Sequence, residues 1–578
     1  MKKILVLFSI SFLFSCSKNN ENLFEHSGGS LRMALENQPS TYSPRHVTDY
    51  YSATVLYQMS EGLVSQDPKT LDIIPRIASE WTVNNNGLKY SFKIRDDVKF
   101  HPHELFKSEK DRLLTTSDVV YSMELACSPN EDGSLPSSYS LIFKDLLKGA
   151  NAFFDQTAET ISGITTKNDI VTFELLHDDK HFLHKMANVY SSINSQKIIE
   201  GGREEDKIGT GPFIFSELSS GDQPTLTLVR NVDYYGKDKN GKTLPYLDSV
   251  IFEIQSRKLE QLNMFEQKNL DMILGLPTSR ISQMIEGRIQ DFNSSPPKLV
   301  LSNNPLLISN FYYFNLNDNR FKDPLVRKAF NYAIDKESIG RDVLRNQYYD
   351  LGYYGIVPPI SKALRGYDFK AIQKDSYTYN PETAKKLLAE AGYPNGKGFG
   401  SVNLRYNIND THSSVADEFA KQIFTTLNIN VNIDGSSFEQ LNKDGDVADG
   451  DIFKMGFAAD FPSPESFLMN FYGPLIPSDS TEPSTINRAR YSNYLFDEFF
   501  DKARNARKMS DKMDFFTKAE IELMKDPPII PLWYVGEIQI TKSYVRNLHF
   551  NALSYFDFKE VYIKEWTEEE YRAFQKTK

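Results

Sequence analysis

Histidines supply the first chemical candidates in this 578-residue chain. His177, His181 and His184 follow i, i+4, i+7 spacing beside Asp178 and Asp179. On a helix, three imidazoles so spaced share one face, an arrangement that can hold zinc. The same residues also fit a half-buried helix start in which Phe182, Leu183 and Met186 do the packing, and this reading is preferred, so no metal is assigned. His101 and His103 (FHPHELF) could chelate through i, i+2 but read better as a turn after a strand. Gly209-Thr210-Gly211-Pro212 is too short to cradle a phosphate and reads as a turn before a strand beginning at Phe213. Cys127 sits in a helix-like run (DVVYSMELACS) with no identifiable base, so it reads as a small buried hydrophobe. There is no Walker loop, GxSxG or HExxH. The chain is therefore read as a non-enzyme without a cofactor.

Composition narrows the class of chain. Apolar residues make up 40% and charged residues 25%, the balance of a soluble globular protein. The 31 Tyr and 40 Phe are more aromatics than a core requires. A net charge of −11 with dispersed basic residues argues against nucleic acid. The 2 Cys cannot build a disulfide framework.

The elements that must position any site are mixed. Strand-like alternation marks residues 88–94, 170–176, 225–230, 249–254, 311–316, 401–408 and 428–433. Asp323-Pro324 predicts a helix start, with Val326, Ala329, Phe330, Ala333 and Ile334 as its apolar stripe. Asn380-Pro381 predicts another, ending near Gly392. Strands interleaved with helices imply an α/β architecture.

Lys2 and Lys3 precede an apolar or small run over residues 4–14, too short to span a bilayer and suited to a secretory signal. The run ends Leu13-Phe14-Ser15-Cys16, which resembles the lipobox of bacterial lipoproteins. Residues 1–15 are therefore expected to be removed, Cys16 to be acylated, and residues 16–29 to form a tether.

Landmarks along the chain resemble extracytoplasmic solute-binding proteins of the peptide/nickel ABC-importer class, nearest to oligopeptide-binding proteins. They are LRMALENQPSTYSP (31–44), EGLV (61–64), SEWTVNNNGLKYSFKIRDDVKFH (79–101), LTTSDVVYSM (114–123), IGTGPFIF (208–215), RNVDYYG (230–236), DPLVRKAFNYAIDKESI (323–339), YNPETAKKLLAEAGYPNG (379–396) and FAADFPSPESFLMNF (457–471). HPHELF (101–106) departs from the family's usual His-Asp-Gly turn.

The resemblance implies a two-lobed periplasmic binding protein fold with an inserted subdomain and a hinge-closing cleft. Lobe I would take 30–60, 206–303 and 537–578, the insert 61–205, and lobe II 304–536. It implies a monomer on the exported face of the cell envelope that captures peptides for an ABC permease heterodimer with ATPase subunits. The same fold could serve a non-peptide solute (a metal chelate, sugar or opine) or a peptide sensor or chaperone. Residue by residue, Asp460 falls on the family aspartate that meets the peptide α-ammonium, although it could instead cap a helix over 463–471. Gly456, Phe457 and Ala458 fall on the strand that pairs with the peptide backbone, and Thr48, Asp49 and Tyr50 on the opposing stretch. Phe438, Phe457 and Tyr139 are expected to wall side-chain pockets. Lys454 and His412 fall where family cations meet the peptide C-terminus at different lengths.

Overall fold

The computed structural model describes residues 28–576 apart from 48, 131–135, 137, 222, 278–279, 375, 478 and 480–481. The expected signal (1–15), Cys16, the tether up to residue 27 and Thr48 lie outside the described residues.

Two long antiparallel strands, Leu299–Phe314 and Ile529–Lys542, organise the molecule. Their register runs from Leu299 opposite Lys542 to Tyr313 opposite Ile529, with an irregularity between Pro305 and Ser309. Pro305 has no N–H to give to a ladder, so a break in pairing is favoured there. On the Leu299 side of the break the sheet continues through Met272–Leu274, Ser30–Leu35, Ser249–Ile254, Thr225–Arg230 and Phe213–Leu218. On the Phe314 side it continues through Ile452–Ala458, Val402–Asn407 and Val431–Ser436. Each side has its own buried core, so the paired strands link two α/β lobes.

A separate four-stranded antiparallel sheet takes Ala78–Val83, Lys89–Ile94, Ile170–Glu174 and Ile164–Lys167 in that order. Along Lys89–Ile94 the alternation buries Tyr90, Phe92 and Ile94, which pack with Phe173, Met123 and Cys127. Thr115 and Asp118 close a capping box at the start of the covering helix Thr116–Cys127. Cys127 is fully buried, and desolvation holds its thiol far above the ordinary range.

In the lobe beyond the Pro305 break, Asp323 accepts from the Leu325 amide at 2.8 Å and starts helix Pro324–Tyr332, which buries Val326, Ala329 and Phe330. Each such aliphatic or aromatic side chain contributes about 1.5–3 kcal/mol on burial. Asn380 caps helix Pro381–Glu390, and Gly392 follows at φ +92°, the left-handed region a helix end favours. Asn409 caps the longer helix Asp410–Leu427, which covers the sheet with Val415, Phe419 and Ile423.

The histidines sort by packing. His101 is buried, its Nε2 lies 3.0 Å from the Gly211 carbonyl, and its Nδ1 accepts from the Gly209 amide at 3.2 Å. Gly209 and Gly211 admit no side chain, because a Cβ on either would meet the Met59 backbone within 3 Å. The Gly-Thr-Gly-Pro segment is thus a turn locked by an imidazole. His103 pairs with Asp206 at 2.8 Å. The alternative of one helical face shared by His177, His181 and His184 does not form, because the helix spans only Phe182–Met186, as the preferred packing reading has it. Phe182 and Met186 fill the core instead.

Candidate functional site

The strand Ile452–Ala458 carries the site. One edge is paired throughout with Ile308–Phe314. The other pairs with Val402–Asn407 only at Ile452 and Phe453. From Lys454 to Ala458 that edge has no strand partner among the described residues. Two cavities flank it. The first, of 370 Å³, is lined by Phe438, Lys454, Gly456, Phe457 and Asp460 together with Tyr313, Asn470 and Arg488. The second, of 360 Å³, lies between lobes and is lined by Ala458 and Ala459 from one side and by Glu36 and Tyr50 from the other.

Asp460 is half-buried, and desolvation pushes its carboxyl up to about 6, with Lys185 pulling the other way. Its amide donates to Ser466 Oγ at 3.1 Å. The cap of helix Pro464–Leu468 is Ser463, so the Asp460 carboxylate is not used as a helix cap. No ion pair reaches it among the described residues. Lys454 is its counterpart of opposite sign. Desolvation pushes its ammonium down to about 7, and no carboxylate lies within ion-pair distance among the described residues. Gly456 makes room for it, since a Cβ there would sit 3.1 Å from Lys454 Nζ. His412 opens the helix Asp410–Leu427, and burial first, then the Lys454 charge, push its imidazole down to about 4. The Lys454 charge is therefore felt at His412.

The aromatic expectations divide. Phe438, 64% exposed, and Phe457, edge-on to Phe467 at 5.4 Å, both wall the first cavity. Tyr139 does not reach the cleft. It stacks on Phe154 at 4.4 Å in the core beneath the four-stranded sheet, and its hydroxyl donates to Asn151 Oδ1 at 2.9 Å. Tyr50 lines the second cavity, whereas the Asp49 side chain is committed to capping Tyr50–Met59 through Ser52. Tyr313, Asn470 and Arg488 carried no signal in the sequence, because separate segments meet only in the fold. Arg488 was the most accessible of these, an unassigned cation held by Asp446 at 2.7 Å.

The chain as a whole is similar to known proteins. The chain belongs to the bacterial extracellular solute-binding proteins, family 5, whose middle-region model matches residues 72–478. It is 26% identical to heme-binding protein A of Haemophilus influenzae, over 86% of this chain and 85% of that protein. It is 23% identical to the dipeptide-binding protein DppE of Bacillus subtilis, over 91% of this chain and 90% of that protein. The fold matches DppA of Helicobacter pylori in complex with the peptide STSA with TM-score 0.73 at 21% identity, covering 93% of this chain and 99% of that one. The two-lobed α/β fold expected from the sequence is the fold observed. No helix among the described residues is long and apolar enough to cross a membrane.

Proposed function

We propose that the protein is the substrate-binding component of an ABC importer, capturing peptides in the cleft and delivering them to a permease heterodimer with ATPase subunits. One observation carries this reading: a free strand edge lies between a half-buried, desolvated carboxylate, Asp460, and a buried ammonium, Lys454, neither with an ionic partner among the described residues. A buried charge is costly until a counter-charge meets it. A peptide zwitterion supplies both counter-charges, and its backbone can extend the ladder at Gly456–Ala458 without any demand on its side chains. A neutral sugar gives neither charge a partner, and a carboxylated macrocycle such as haem gives Asp460 none.

The sequence boundaries fit this reading, with lobe I from 30–60, 206–303 and 537–578, the insert from 61–205 and lobe II from 304–536. The break between Pro305 and Ser309 supports a hinge there, with ligand closing the lobes. Acylation at Cys16 would tether a monomer to the membrane beside its permease. Native mass spectrometry of the purified protein, followed by calorimetry with free and N-acetylated tripeptides, tests the function. Peptide-sized adducts and binding that requires the free amine are expected. Retention of a non-peptide solute, with no peptide binding, would overturn it.

A further inference from the structure

The second cavity is not electrically neutral. Glu36, Glu537 and Lys258 are the charged groups that line it. Lys258 Nζ is already engaged, 2.6 Å from Glu36 and donating to the Leu274 carbonyl at 2.6 Å. Glu537 has no ion pair among the described residues. Burial pushes its carboxyl up to about 7, with Lys258 lowering it and Glu36 raising it. Gly275 packs close beside both groups, since a Cβ there would lie 3.3 Å from Lys258 Cε and 3.5 Å from Glu537 Oε1. With Lys258 paired to Glu36, Glu537 is left as a carboxyl without a counter-charge among the described residues, in a cavity whose other walls are mostly apolar, Leu306, Leu307, Val535 and Leu553 among them, and an incoming cation would favour its ionised form. Tyr50 and Tyr51, edge-to-face at 5.7 Å, add ring faces that favour a cation.

We infer that this cavity is a subsite for a basic side chain of the bound peptide, with the aliphatic stem along Leu306 and Leu307 and the ammonium or guanidinium on Glu537. The inference rests on the peptide reading and narrows it to peptides carrying lysine or arginine. The cavity's position supports it. Ala458 and Ala459 continue the free strand edge into the cavity, so a peptide paired there presents alternate side chains towards it. A long stem with a terminal cation matches a pocket that is apolar along its walls and acidic at one point.

Calorimetry with tripeptides tests it. Lysine is placed at the first, second or third position, and each peptide is compared with its norleucine twin, which keeps the stem and lacks the ammonium. At one position the lysine peptide should bind about tenfold or more tightly than its twin. In Glu537→Gln that ratio should collapse to about one. In Lys258→Met, which removes the competing ammonium, the ratio should rise. If the twins bind with a free-amine requirement and lysine gives no gain at any position, this subsite is wrong and peptide capture stands. A lysine gain that survives Glu537→Gln also overturns the subsite, as does an equal loss for both twins, the pattern of a contact to the α-ammonium. If no peptide binds at all, both readings fall.

Discussion

His181 lies against Phe461, the residue after Asp460, with ring centroids 5.0 Å apart and planes inclined by 30°. The same imidazole stands 3.7 Å from Glu465, which Lys512 approaches at 3.2 Å. Burial and the Lys512 charge hold His181 well below its ordinary range, so the ring is neutral and packs as an aromatic. A contact between the region of the four-stranded sheet and the lobe that carries Asp460, one residue from that half-buried carboxylate, must break if those parts separate. His181→Ala should therefore weaken every ligand by a common factor of roughly two to ten, the worth of one aromatic pair. Calorimetry with three unrelated peptides checks this, and a loss that varies with the peptide would make His181 a ligand contact instead.

Closure itself should be visible. Small-angle scattering should give a smaller radius of gyration with a binding peptide than without. Ligand at 100 times its Kd should add about 2.7 kcal/mol to stability. An unchanged profile, with binding shown independently, would remove the hinge model.

How much of this was legible in the sequence depends on whether the signal was local. The stripe after Asp323-Pro324 needed only helical spacing, and the helix is there. So were most of the strands, because alternation is a property of neighbours. The strand Leu299–Phe314 read only as residues 311–316, since Asn303, Asn304 and Pro305 interrupt its pattern where it crosses between lobes. Asp49 looked like a ligand contact and is a helix cap, and one chain cannot separate those uses of an aspartate. Tyr139 looked like a pocket wall and is core, because aromatic character does not tell which surface a ring faces. Glu537 and Lys258 meet across 279 positions, and no spacing rule reaches that far.

Lys454 should set ligand length. It lies four residues before Ala458, a span of roughly 13 Å at the rise of an extended strand. An extended peptide of about that length can place its amine near Asp460 and its carboxylate near Lys454. Lys454→Ala should cost peptides of three or four residues about 1–3 kcal/mol, the cost of leaving a charged group underpaired. Peptides of two residues should lose little. Equal losses from two to five residues, measured by calorimetry, would show that Lys454 is not the carboxylate anchor.

Cys16→Ser should release the protein from the membrane. The expectation rests on the Leu13-Phe14-Ser15-Cys16 run after a short apolar stretch. The variant should partition into the aqueous phase of a detergent extraction and lose its acyl mass. Retention in the detergent phase would place the anchor elsewhere. A single acyl chain binds membranes only marginally, so more than one chain is expected on the native cysteine.

Asp460 should oppose stability and serve binding. Its carboxyl sits at about 6 in the fold because burial disfavours the charged form, against about 3.9 unfolded. A group raised in this way contributes stability that is fully present below the unfolded value and lost as pH rises through the folded one. The unliganded protein at neutral pH therefore holds an unfavourable charge. Asp460→Asn should be more stable than the wild type there, on the order of 1–3 kcal/mol, with the two converging near pH 4. Binding runs the other way. An ammonium pairs only with the ionised form, so affinity for a free-amine peptide should fall about tenfold per pH unit below about 6. Asp460→Ala should cost about 2–5 kcal/mol of affinity at neutral pH by leaving the ammonium unpaired. N-acetylated peptide should already have lost that term in the wild type, so the acetyl group and the Asp460→Ala change should be strongly non-additive. Chemical denaturation of the unliganded proteins from pH 4 to pH 8, with calorimetry on the four-corner cycle, reads both signs. A less stable Asp460→Asn together with an additive cycle would make the carboxylate a structural group and return the cleft to a non-peptide solute.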